Sequence, residues 1–150
     1  VVPQDARLGR VAKAAPGTET AARRLLALTE AGLTPVMSSV GIDDEGRLWN
    51  INADDVALAV ALLLKAPLIF LSDVRGVLNA DKALIWELTP HAAQKLIAEG
   101  IISGGMTVKV NAALAAAAAT KAPVAVASVF DETLTHCLLS GKLPGTVFAA

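Results

Sequence analysis

The chain has 150 residues, the size of one ordinary domain. Lys and Arg number 13 against 14 Asp and Glu, a formal charge of −1 without the clustered excess of cations that a nucleic-acid surface needs. With 54% hydrophobic and 18% charged residues, the composition belongs to a chain that buries a core and excludes a disordered one.

A first helix is expected over Thr18–Ala31, with Thr18 as its cap, Ala21, Leu25, Leu26 and Leu28 on an apolar face, and Gly32 as its stop. Thr34–Ile42 is an extended apolar run. Asp43-Asp44-Glu45-Gly46 supplies a turn, and Arg47–Asn50 returns as the second strand of a β-hairpin. Asn52–Leu64 reads as a helix whose first backbone N–H groups are satisfied by Asn52 or Asp54. Leu68–Leu71 has the continuous apolar pattern of a strand covered on both faces, and a polar loop follows over Ser72–Asp81. Thr89 caps and Pro90 opens a helix that ends at Gly100. Gly104-Gly105 leads into a helix from about Met106 to Lys121. Val124–Ser128 is a second buried strand, Asp131–Leu139 a short helix and Thr146–Phe148 a last strand. This alternation predicts an α/β three-layer sandwich with a mostly parallel sheet and one β-hairpin.

Membrane insertion is not expected. The longest apolar run, Val56 to Leu64, stops at Lys65 and Pro67, short of the ~20 residues that span a bilayer. The opening Val-Val-Pro-Gln-Asp lacks the basic and apolar regions of a signal peptide, and the single cysteine, Cys137, has no intrachain partner. A reducing, cytoplasmic compartment follows as the expectation. The first 17 residues resemble the tail of something longer, so a fragment is expected.

Ligands of open α/β sheets gather beyond the carboxyl ends of the strands, near helix N-termini. Three segments fall there: Asn50–Asp54, Ser72–Val77 and Ser103–Lys109. Each also has a plain reading, as a helix cap, a turn and a flexible joint. Lys109 stands out, because a cation in the first turns of a helix opposes a dipole that favours anions by ~0.3–1 kcal/mol. An anionic ligand beside it removes the contradiction. Gly104 and Gly105 let backbone N–H groups approach a phosphate, Lys109 offers a point charge to phosphoryl oxygens, and Asp54 can orient the lysine and keep it protonated. Phosphoryl transfer asks chiefly for such positioning. Neither a P-loop nor a Gly-x-Gly-x-x-Gly turn is present. His91, His136 and Cys137 lack metal-ligand spacing, and no protein metal site is expected.

Pro35-Val36-Met37-Ser38-Ser39-Val40-Gly41, Asn50-Ile51-Asn52-Ala53-Asp54, Leu71 to Leu78 and Gly105-Met106-Thr107-Val108-Lys109-Val110 occur in one order at fixed separations. Together they resemble the amino acid kinase family, and within it the members that phosphorylate acetylglutamate in arginine biosynthesis. The resemblance runs from about Leu8 to Pro144-Gly145-Thr146 and matches only that family's nucleotide-binding C-terminal half. It implies ATP-dependent phosphorylation of the γ-carboxylate of N-acetyl-L-glutamate to an acyl phosphate. By this resemblance Asn50 contacts the acetylglutamate, Asp54 organises the active-site lysines, and Lys109 stabilises the transition state. ATP would be bound by Asp73, Val74, Arg75, Gly76, Val77 and Leu78 with Ile101, Ile102 and Ser103, although Arg75 is read as facing solvent. Magnesium would be carried on the nucleotide phosphates. The full-length protein would be a homo-oligomer. The family's second catalytic lysine, its glycine-rich loops and its substrate-binding arginine have no counterpart in these 150 residues. A single ATP-binding domain over 1–150 is therefore expected, inactive alone and lacking a substrate-binding half. Two alternatives are a non-catalytic nucleotide-binding module and a sister kinase acting on another carboxylate or on carbamate.

Overall fold

The structure is a computed structural model that describes residues 2–3, 10–15 and 17–148. It divides into two compact units, residues 1–66 and 67–150.

The first unit holds a four-stranded sheet in the order β1-β2-β4-β3, built from β1 (Val2–Pro3), β2 (Val11–Lys13), β3 (Val40–Ile42) and β4 (Leu48–Ile51). β2 runs parallel to β4, while β1 pairs antiparallel with β2 and β3 with β4. The β3–β4 pair is the expected hairpin. Of the extended run over Thr34–Ile42, only its last three residues pair as a strand. Asp43 ties the turn together. Its carboxylate accepts the backbone N–H groups of Glu45 and Arg47, the Arg47 Nε–H at 2.7 Å and the Trp49 indole N–H at 2.9 Å. Arg47 reaches Glu45 as well, at 2.6 Å.

Two helices complete this unit. α1 (Glu19–Glu30) starts where the Thr18 hydroxyl accepts the Ala21 N–H. It ends before Gly32, whose φ of +77° suits a residue without Cβ. Its apolar face is narrower than expected: Ala21 and Leu25 are half-buried, but Leu26 and Leu28 are exposed. α2 (Ala53–Leu64) is capped by Asn52, whose Oδ1 accepts the Asp54 N–H at 2.8 Å.

The second unit holds a three-stranded sheet, β5-β6-β7, made of β5 (Leu68–Ser72), β6 (Val124–Ser128) and β7 (Thr146–Phe148). β5 and β6 are parallel; β7 is antiparallel to β6. The expected single, mostly parallel sheet is thus replaced by two small mixed sheets, each with one parallel pair. β3 to β7 were legible in the sequence, whereas β1 and β2 fall in the first 17 residues, which read as a tail; β1, β3 and β7 each return antiparallel beside a neighbour. All five residues of β6 are buried. α3 (Pro90–Ala98) begins where the Thr89 hydroxyl accepts the Ala92 N–H. α4 (Gly105–Thr120) packs on β6 through Val110, Ala113, Ala116 and Ala117, all fully buried. Three alanines in that stripe let the helix axis approach the sheet closely. α5 (Leu134–Leu139) is shorter than the expected Asp131–Leu139. Asp131 instead accepts the Thr133 N–H and hydroxyl in the turn before it.

α2 and α4 end alike. Lys65 and Lys121 close them in the left-handed conformation, each with φ of 52°, and each is followed by Ala-Pro. The next residues, Leu68 and Val124, are direct partners in the β5–β6 register. Among the described residues, no helix is long and apolar enough to cross a membrane.

Candidate functional site

The segment after β5 and the start of α4 come together in the second unit. Gly104 takes φ of +57° and offers no side-chain cap, and Gly105 has no heavy atom within 4 Å of where a Cβ would stand. The first turn of α4 therefore presents backbone N–H groups with no side chain over them. Lys109 lies one turn further on. Its Nζ is 3.6 Å from Asp73 Oδ1, and both side chains retain substantial exposure. At such exposure the pair adds little stability; its meaning is spatial, since it joins two of the segments singled out from the sequence.

Beside them lies a mainly apolar cavity of about 280 Å³, lined by Val74, Arg75, Gly76, Val77, Leu78, Ile101, Ile102 and Met106. Seven of the nine residues expected to bind ATP line it. Asp73 stands at its margin in the ion pair with Lys109, and Ser103 is exposed in the turn leading to Gly104. A second hollow of about 450 Å³ shares Arg75 with it and is completed by Asp73, Ser128, Phe130, Asp131, Glu132 and Thr133. Arg75, read as facing solvent, is exposed and also borders both hollows. The Asp131 carboxyl is held below its ordinary value first by the Thr133 hydroxyl and N–H, against a smaller opposing effect of burial, with a further contribution from the Arg75 charge.

Sequence reasoning left Met106 and Thr146 out of the site. Met106 stood within a quoted motif, and its place in the cavity wall depends on how α4 begins. Thr146 is fully buried, and its Oγ1 accepts the Val77 N–H at 2.8 Å. A contact across 69 residues of sequence leaves no local signature.

The first unit carries the remaining candidates. Asn50 is exposed on β4, opposite Val40 on one side and Val11 on the other. Asp54 is exposed in the first turn of α2, where with Asp55 it complements the helix dipole. Asn52 is the cap of that helix, which accounts for it without a ligand. Among the described residues, no group of three or more His, Cys, Asp and Glu could hold a metal ion.

A sequence model of the amino acid kinase family matches residues 3–128. The chain belongs to that family. Within it, an acetylglutamate kinase of Yersinia pestis (strain Pestoides F) is 48% identical over 142 residues, covering 95% of this chain and 54% of the relative. The chain spans about half the length of the curated relatives it matches. Among solved structures, smu.665 from Streptococcus mutans UA159 is 29% identical with a TM-score of 0.67, covering 95% of this chain and 52% of its own. An N-acetylglutamate synthase from Neisseria gonorrhoeae, solved with coenzyme A and L-arginine, is 27% identical with a TM-score of 0.70, over 88% of this chain and 31% of its own. The amino acid kinase fold is therefore matched across both units, each described above by its own sheet and helices.

Proposed function

We propose that this chain is the nucleotide-binding half of an ATP-dependent kinase that phosphorylates the γ-carboxylate of N-acetyl-L-glutamate. The observation that carries the reading is the Lys109–Asp73 pair, standing where the uncapped start of α4 meets the cavity behind Val74–Leu78. The amino acid kinase family uses ATP, and relatives at 48% identity are acetylglutamate kinases.

In this reading the apolar wall from Val74 to Leu78, with Ile101 and Ile102, receives the base. Asp73 and Ser103 flank the phosphate side. Lys109 and the N–H groups at Gly104-Gly105 meet the phosphoryl oxygens, whose negative charge shifts as the γ-phosphoryl group leaves ADP for the substrate carboxylate. A fixed ammonium group there stabilises that charge without rearranging. Asn50 holds the acetylglutamate, and Asp54 organises the lysines. Among the described residues no carboxylate cluster offers a cage for magnesium, so the ion would be held by the nucleotide phosphates, where it would neutralise their charge. The product is an acyl phosphate, and the setting is arginine biosynthesis in the cytoplasm, with the full-length protein a homo-oligomer.

Turnover of the complete polypeptide tests the reading. Lys109→Ala should lower kcat by about 10²–10³-fold with a smaller change in KM. A rate within a few-fold of the parent would remove Lys109 from the mechanism. One observation favours a second reading, a nucleotide-binding module without kinase activity: the fold is shared with part of a synthase, over 31% of that chain. Binding of MgATP together with absent turnover in the complete polypeptide would select it.

A further inference from the structure

We propose that Thr146 is the positioning residue of the nucleotide loop, fixing the Gly76–Val77 peptide through its hydroxyl; the proposal rests on the reading of residues 73–78 as nucleotide-binding. The Thr146 hydroxyl carries one proton and accepts through its lone pairs. Its proton goes to the Ile85 carbonyl at 2.6 Å, so a lone pair is left for the Val77 N–H at 2.8 Å. Both directions are obligatory, because a backbone N–H only donates and a carbonyl only accepts.

The surroundings make this contact singular. Val77 and Thr146 are fully buried, whereas the flanking Arg75 and Leu78 are exposed. Val77 and Ile85 also bond directly, the Ile85 N–H donating to the Val77 carbonyl at 2.8 Å, so one hydroxyl ties both sides of the 77–85 excursion to β7. β7 is secured in turn by the Val147 N–H on the Trp86 carbonyl and the Leu88 N–H on the Val147 carbonyl. Gly76 has φ of +140°, and a Cβ there would stand 2.6 Å from Thr146 Oγ1. The backbone of the loop thus lies directly against the hydroxyl. The Gly76–Val77 peptide is trans, so the Gly76 carbonyl points opposite to the Val77 N–H, away from Thr146. Removing the hydroxyl frees that peptide plane to rotate and leaves a buried donor and a half-buried acceptor without their partner.

The test compares the parent chain with Thr146→Val and Thr146→Ser, reading amide hydrogen exchange at Val77 and MgATP affinity by calorimetry. Thr146→Val should speed exchange at Val77 and weaken MgATP binding, each by about tenfold, with exchange at Val110 in the α4 core unchanged. Thr146→Ser, which keeps the hydroxyl and loses the methyl, should restore both. Thr146→Ala serves in the same way if the valine variant does not fold. Unaltered MgATP affinity in Thr146→Val, or a serine variant as impaired as the valine one, overturns the role given to the hydroxyl. A parent chain that binds no MgATP overturns the nucleotide reading itself, and the proposal falls with it.

Discussion

Asp43 shows how much one side chain can organise. Partial burial works to raise its pKa, but hydrogen bonds from the Trp49 indole, the Arg47 backbone and the Arg47 side chain, with the Arg47 charge, outweigh that and hold it far below 3.8. A carboxyl with a lowered folded-state pKa contributes stability that is complete above its ordinary value. That contribution drains away as pH falls from about 4 toward the depressed value. Acid titration of a Trp86→Phe chain, followed by Trp49 emission, should therefore show the hairpin loosening below pH 4. Asp43→Asn should be less stable than the parent at pH 7 and should flatten this acid dependence; an unchanged profile would count against Asp43 as its source. The turn at 43–46 was legible because Asp and Gly carry their own turn chemistry. The indole contact was not, since it depends on Trp49 returning across the hairpin. The same division holds at the site. Lys109 was conspicuous because it stands against a helix dipole, whereas its ion-pair partner within the second unit, Asp73, is set by where β5 ends.

The starts of α1, α2 and α3 were legible, because Thr18, Asn52 and Thr89 place an acceptor where the first free N–H groups arise. Strand pairing was not, because an apolar run such as Val124–Ser128 specifies burial on two faces without naming a neighbour or its direction. β7 depends on a backbone feature at its entrance. Gly145 has φ of +70°, and a Cβ there would press on the Val126 carbonyl and stand 2.8 Å from Ala127 Cα. Gly145→Ala combines left-handed strain with a backbone clash and should cost about 2–4 kcal/mol. Because Thr146 follows directly, the same substitution should also weaken MgATP binding. Chemical denaturation measures the first effect and calorimetry the second. A loss below about 0.5 kcal/mol would mean that β7 shifts freely at its entrance.

At the scale of the whole molecule, the first unit leaves apolar surface open. Val40, Ile42 and Leu48 are 52%, 63% and 60% exposed, Ile42 lies opposite Leu48 in the register, and β3 ends its sheet. An apolar face beside an open strand edge favours self-association. Ile42→Lys should shift the chain toward monomer in sedimentation velocity while leaving MgATP affinity unchanged, and a parent already monomeric at high concentration would show that this face is inert. The Lys-Ala-Pro corners at 65–67 and 121–123 act as a common ruler, since each strand of the parallel pair in the second unit starts one step after the same turn. One side of β6 carries Val124 and Val126, and the other carries Ala125 and Ala127. A single alanine inserted after Lys121 would advance only one strand and exchange the valine and alanine sides of β6. Ser128 would then lose its place opposite Ser72, the residue from which the nucleotide loop departs. Chain length at a corner remote from the cavity thus sets the alignment of its rim.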